Sequence, residues 1–184
     1  MHDLYSKKIY AVAPSKPKQS SNKWIPPPAG IIKLNSNASL CDEGWVGLGV
    51  VARDHDGKVL FAAARRIRAW WPPEIAEGKT LLLAVRLARR YGCDNVILES
   101  DSQVLINRLS KASVYLSDFD VVLEDILLFS SAFLSFTWSH VKKDGNIVAH
   151  HLARLMPFGT EQVWVNHCLE MISLYVLSDT LSSD

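Results

Sequence analysis

The stretch Ile31-Ile32-Lys33-Leu34-Asn35-Ser36-Asn37-Ala38 alternates, with Ile32, Leu34, Ser36 and Ala38 on one side and Lys33, Asn35 and Asn37 on the other. A two-residue period is that of a strand, and it turns Asn37 away from Leu34. Just downstream, residues 45–52 and 58–64 are β-prone runs flanking Arg53-Asp54-His55-Asp56-Gly57, where a glycine after aspartate supplies the positive φ of a tight hairpin. Three antiparallel strands therefore open the fold.

Further along, Pro72 and Pro73 precede a run in which Ile75, Leu82, Val85, Leu87 and Ala88 recur at near-helical spacing, with Gly92 as its natural end. Residues 96–98 make a short apolar strand. Ser102 is placed to cap a helix reaching Leu109, and Asp118 to cap another reaching about Ser130. Residues 133–141 read as a strand and 146–155 as a helix. The order predicts an α/β fold, a mixed five-stranded sheet with helices on its faces.

Working outward, residues 1–23 are rich in Ser, Lys and Pro with little apolar periodicity, and read as a disordered lead-in. Trp24, followed by Pro26, Pro27 and Pro28, marks the entrance to a domain spanning 24–158. The tail, 159–184, holds Trp164, Leu169, Ile172 and Leu174 but no recognisable chemistry.

With 184 residues, 48% of them hydrophobic, the chain can bury one ordinary core. A formal net charge of +1 provides no global basic field, so a polyanion must be held by a local patch. Cys41, Cys93 and Cys168 form neither a disulfide ladder nor a zinc pattern, which points to a reduced, intracellular protein, cytoplasmic or nuclear. No apolar run is long enough for a membrane span, and a monomer is expected.

Several residues carry candidate chemistry. Asp101 follows Glu99 at the end of an apolar strand, where carboxylates point into the crevice that binds ligands in such sheets. Glu77 falls in the first long helix, where its simplest role is that of a solvated face residue. Arg65, Arg66, Arg68, Trp70 and Trp71 form a cationic and aromatic cluster suited to phosphates and bases, and Lys142 and Lys143 add charge from a later loop. His140, His150 and His151 have no acidic or cysteine partners at metal-binding spacing.

Taken in order, five segments change the weight of these residues. They are 33–38, Gly49-Val50-Val51-Ala52-Arg53-Asp54, Ala76-Glu77, Glu99-Ser100-Asp101-Ser102-Gln103 and Asn146-Ile147-Val148-Ala149-His150. The chain from about Trp24 to Pro157 resembles the ribonuclease H type 1 family, in particular its plant branch related to the terminal domain of non-LTR retroelement reverse transcriptases.

That resemblance implies the ribonuclease H-like fold and a two-metal phosphodiester hydrolase acting on RNA/DNA hybrids. Its carboxylates would hold two Mg2+ or Mn2+ ions ~4 Å apart, one for the attacking and one for the leaving oxygen. Glu77 matches the helix glutamate and Asp101 the fourth-strand aspartate, while Asn37 stands where the family has its first-strand aspartate. His150 stands at the last-helix aspartate, and His140 matches a mobile-loop histidine implicated in proton transfer or product release. Gln103 matches a position that touches the hybrid's minor groove, and Ser102, Arg65, Arg66, Lys142 and Lys143 would add nucleic-acid contacts.

An amide offers a neutral oxygen where an anionic, two-oxygen ligand is needed, so Asn37 predicts weakened metal binding and impaired cleavage. Asp42 and Glu43 lie past the strand in a turn and are poorly placed to substitute. The leading reading is a domain that binds RNA/DNA hybrid or a similar A-form duplex. An active ribonuclease, or a retroelement-derived interaction module without nucleic-acid affinity, are the alternatives.

Overall fold

In the computed structural model, which describes residues 21–113, 117–157 and 159–182, five helices pack on one mixed sheet. Most of the 1–23 lead-in lies outside the described residues. Ser21 is already part of the fold, pairing with Val141 and accepting a 3.0 Å hydrogen bond from the Lys142 amide.

The three opening strands are β1 (Ile32–Leu40), β2 (Trp45–Arg53) and β3 (Val59–Arg68), paired antiparallel. Their second turn closes as the sequence predicts: Gly57 has φ +76°, and the Asp54 carboxylate accepts from the amides of Asp56 and Lys58, each at 2.9 Å. Arg65, Arg66 and Arg68 lie inside β3, because that strand continues four residues past its predicted end at Ala64, while Trp70 and Trp71 follow it.

Helix α1 (Pro73–Arg90) starts on the proline pair and stops ahead of Gly92 at φ +70°. Strand β4 (Asn95–Ser100) then runs parallel to β1, followed by α2 (Gln103–Ser110) and α3 (Asp118–Ser130). Ser102 occupies the cap position of α2 without a side-chain cap bond. The cap of α3 is Ser117 rather than Asp118: its hydroxyl accepts from the Asp120 amide, while Asp118 sits in the first turn. Strand β5 (Ser135–His140) pairs parallel with β4 and leads into α4 (Ile147–Arg154).

Among the described residues six strands form the sheet, not five, in the order β5-β4-β1-β2-β3-β6. The correction comes from the tail. Its residues Glu161–Val165 form β6, antiparallel to β3, and Glu170–Leu181 form α5. The expected boundary at 158 therefore cuts across a continuous sheet. A five-residue strand at a sheet edge carries little periodicity of its own and is specified by its long-range partner.

Side-chain alternation along the strands sends Leu34, Leu48, Val50, Phe61 and Leu98 to the face covered by α1, α2 and α3. Val51, Ala62 and Ala64 go to the opposite face, under α4 and α5, with Val148, Leu152, Trp164 and Ile172. Among the described residues no helix is long and apolar enough to cross a membrane.

Helix α4 lies unusually close to β2. A Cβ on Gly47 would sit 1.8 Å from the Ala153 carbonyl oxygen, and one on Gly49 would sit 2.3 Å from that of Ala149. Both obstacles are backbone, so neither can rotate away. Gly49→Ala is expected to lift α4 from the sheet and to cost about 3 kcal/mol, measured as a drop in urea midpoint at unchanged m-value. Stability equal to wild type would show that the helix can slide without penalty.

Candidate functional site

The parallel ladder between β1 and β4 ends at Ser36 opposite Ser100. Asn37 is the next residue of β1, which continues to Leu40, and Asp101 directly follows β4, so both lie where the parallel ladder finishes. Helix α1 brings Glu77 to the same place: both of its carboxylate oxygens accept from the Ala38 amide at 3.2 Å. Helix α4 brings His150 from the other side of the sheet, with its Nδ1 3.4 Å from the Asn37 amide nitrogen. Four of the five residues expected to be catalytic thus converge at one end of the sheet.

The fifth, His140, stands at the end of β5, paired with Ser100, and its Nε2 lies 3.2 Å from the Asp101 carbonyl oxygen. The remaining expectations are more scattered. Ser102 follows Asp101 directly, and Gln103 is exposed with its amide donating to Asn107. Lys142 and Lys143 are exposed beyond β5. Arg65 is engaged with Glu161 of β6 at 3.5 Å, on the sheet face opposite to Arg66 and Arg68. Those two guanidiniums lie 5.3 Å and 5.8 Å from the centre of the Trp45 ring. Asp42 and Glu43 occupy an exposed turn between β1 and β2. His151 stacks on Tyr175 of α5, with ring centres 3.8 Å apart, and meets the His150 ring edge-on at 5.7 Å.

Electrostatics at the site are dominated by Glu77. Burial, followed by the neighbouring Asp101 charge, raises its carboxyl from an ordinary 4.5 to about 8, against the opposing effect of the Ala38 hydrogen bond. At neutral pH the group therefore mostly holds its proton. Because the folded value is raised, the stability it contributes is complete below pH 4.5 and is lost as pH rises toward 8. In metal-free buffer, Glu77→Gln should match wild type near the acid end and exceed it in stability at the alkaline end, by a few kcal/mol. Parallel pH profiles for the two proteins would refute this environment for Glu77.

Beneath the site runs a buried polar network that sequence reasoning missed. Asn35, fully buried, accepts from the Trp24 indole at 3.1 Å and from Arg53 at 3.3 Å, and donates to Glu99 at 3.1 Å. Lys33 pairs with Glu99 at 2.8 Å, and Asn146 donates to the Ser36 carbonyl at 2.9 Å. Arg53 packs 3.9 Å from the Trp24 ring centre and pairs with Asp179 of α5 at 2.8 Å. The signal in the sequence was a lone charge in each of two apolar runs, since a buried charge requires a partner.

The sequence from residue 35 to 156 matches the family model described as reverse transcriptase-like, which is more than half of the chain. The chain belongs to this reverse transcriptase-like family, of ribonuclease H type. The domain is similar in structure to the N-terminal RNase H domain of a Mycobacterium tuberculosis protein (21% identity, TM-score 0.61), covering 67% of this chain and 91% of that one. It is also similar to RNase H1 from Halobacterium salinarum (23%, TM-score 0.55; 67% and 93% covered). A third likeness is to LC11-RNase H1, solved in complex with RNA/DNA hybrid (19%, TM-score 0.58; 67% and 93% covered). At these identities the likeness is one of fold. No curated protein matches the sequence.

Ribonuclease H-type domains generally depend on divalent metal, and the residues of this reverse transcriptase-like domain do not fit a two-ion centre. Two dications bring four positive charges, against two carboxylates, Glu77 and Asp101, and a neutral amide at Asn37. The amide of Asn37 donates to the Ala38 carbonyl at 3.0 Å, a hydrogen bond that a carboxylate could not make, and its nitrogen also faces His150. Among the described residues, the one group of three potential ligands clustered closely enough for an ion is Asp54, His55 and Asp56, on the β2–β3 turn.

Proposed function

We propose that this domain binds RNA/DNA hybrid through shape and backbone contacts, and that its hydrolytic activity is impaired by Asn37. The observation carrying this reading is the local fit of Asn37 as an amide, donating to the Ala38 carbonyl at the point where Glu77 and Asp101 converge. In this reading Ser102 and Gln103 contact the minor groove, and Arg66, Lys142 and Lys143 contact phosphates. Asp101 and Glu77 would hold Mg2+ or Mn2+ weakly, because the amide of Asn37 adds no charge to the ligand set. His150, beside Asn37, and His140, beside the Asp101 carbonyl, would flank a backbone bound there. The ribonuclease H fold and the hybrid held by a structural neighbour support the choice of ligand. A retroelement origin is consistent with the reverse transcriptase-like family.

The test pairs two measurements on the natural protein: affinity for a labelled RNA/DNA hybrid as a function of salt, and cleavage of that hybrid with Mg2+ or Mn2+. Binding that weakens steeply with salt, with negligible cleavage, supports the reading. Efficient cleavage would instead make the domain an active ribonuclease, and absence of binding even at low salt would leave an interaction module or remnant.

A further inference from the structure

We propose that Trp45, Arg66 and Arg68 form a clamp for two successive phosphates of a nucleic-acid strand leading away from the Asn37 site, an inference that rests on the hybrid-binding reading above. Trp45 begins β2, where it pairs with Arg68, and Gly47 pairs with Arg66. Residues two apart on a strand share a face, so Trp45, Arg66 and Arg68 lie on the same side of the sheet as Asn37, whose partners across the sheet are Gly49 and then Ala64. Arg66 is one same-face step beyond Ala64 and Arg68 is two.

Each step is about 7 Å. That spacing suits consecutive phosphates of one strand, and the pair lies two strands across and one same-face step along from Asn37. The side chains are also prepared for the task. Both guanidiniums lie near the Trp45 ring, at 5.3 Å and 5.8 Å, and among the described residues neither has a carboxylate within 4.0 Å. Arg65, between them in sequence but on the other face, is occupied by Glu161. The Arg66 amide is tied to the Thr160 carbonyl at 2.8 Å, which fixes the backbone beneath. Trp70, 83% exposed, lies over Gly44 just before Trp45, and adds a second aromatic surface at the edge of the clamp. Arginines held on an aromatic ring without an acidic partner are pre-organised for an external anion, and the planar fork matches a phosphate.

The experiment measures binding of a labelled RNA/DNA hybrid, and of single-stranded oligothymidylate, across a KCl series. It uses the full chain, Arg66→Ala with Arg68→Ala, and Arg65→Ala, with thermal melts to establish that each is folded. The double variant should lower the slope of log K against log salt by about 2 in magnitude, while Arg65→Ala leaves it unchanged. A double variant with the wild-type slope overturns the clamp. If the wild type binds oligothymidylate but not hybrid, and the double variant loses that slope, the clamp stands and the hybrid reading falls. If the wild type binds neither, both fall.

Discussion

Asn37→Asp should convert this domain into a metal-dependent hybrid ribonuclease, with a gain in cleavage of about a thousandfold. The figure corresponds to recovering about 4 kcal/mol of transition-state stabilisation. In the natural protein the Asn37 amide donates to the Ala38 carbonyl at 3.0 Å. A carboxylate there would face that carbonyl oxygen, with Glu77 and Asp101 nearby, and the metal-free variant should melt below wild type. Adding Mn2+ should reverse the order, since an ion binding only the folded state stabilises it by about 2.7 kcal/mol at a hundredfold excess over Kd. Asp101→Asn in the same background should abolish both the cleavage and the metal-dependent rise in melting temperature. A variant that melts higher with Mn2+ yet cleaves nothing would mean that His150 cannot replace the last-helix aspartate.

The second large effect concerns Asp179→Ala. Arg53 is fully buried within β2, and its Nη1 is 2.8 Å from the Asp179 carboxylate on α5. Its Nε has no hydrogen-bond partner among the described residues. Removing Asp179 strands a guanidinium between the sheet and α5, and breaking a buried pair in this way costs about 3–5 kcal/mol. That is a large share of the total stability of a domain, roughly 5–15 kcal/mol. Urea unfolding should show the loss, and Arg53→Met together with Asp179→Leu should recover most of it because no unpaired charge remains. A single variant within about 0.5 kcal/mol of wild type would show that water reaches Arg53 freely.

The first three strands were legible because their period and their turn residues agree: alternation from Ile32 to Ala38, then Asp54 and Gly57 at the hairpin. The proline pair before α1 and the glycine after it carried equally local information. The site residues came from a different source. Neither Asn37 nor Glu77 stands out by spacing, and it was the ordered set of motifs that placed them together. What escaped the sequence depends on distant partners. Residues 161–165 become a strand only because β3 offers an edge to them, and α5 shows no polar face because Ile172 is buried while Leu174 and Leu177 are exposed. Arg65 and Arg66 read as equivalent neighbours, yet pleating sends one to Glu161 and the other to Trp45.

Strand β6 also bears on how the chain survives its own synthesis. Until residues 161–165 have left the ribosome, β3 is an open edge, and its run Val59-Leu60-Phe61-Ala62-Ala63-Ala64 is apolar throughout. Such an edge is a template for pairing with another molecule. Strand β6 therefore guards β3, and a chain shortened at residue 158 should accumulate as aggregate even where its remaining elements can form.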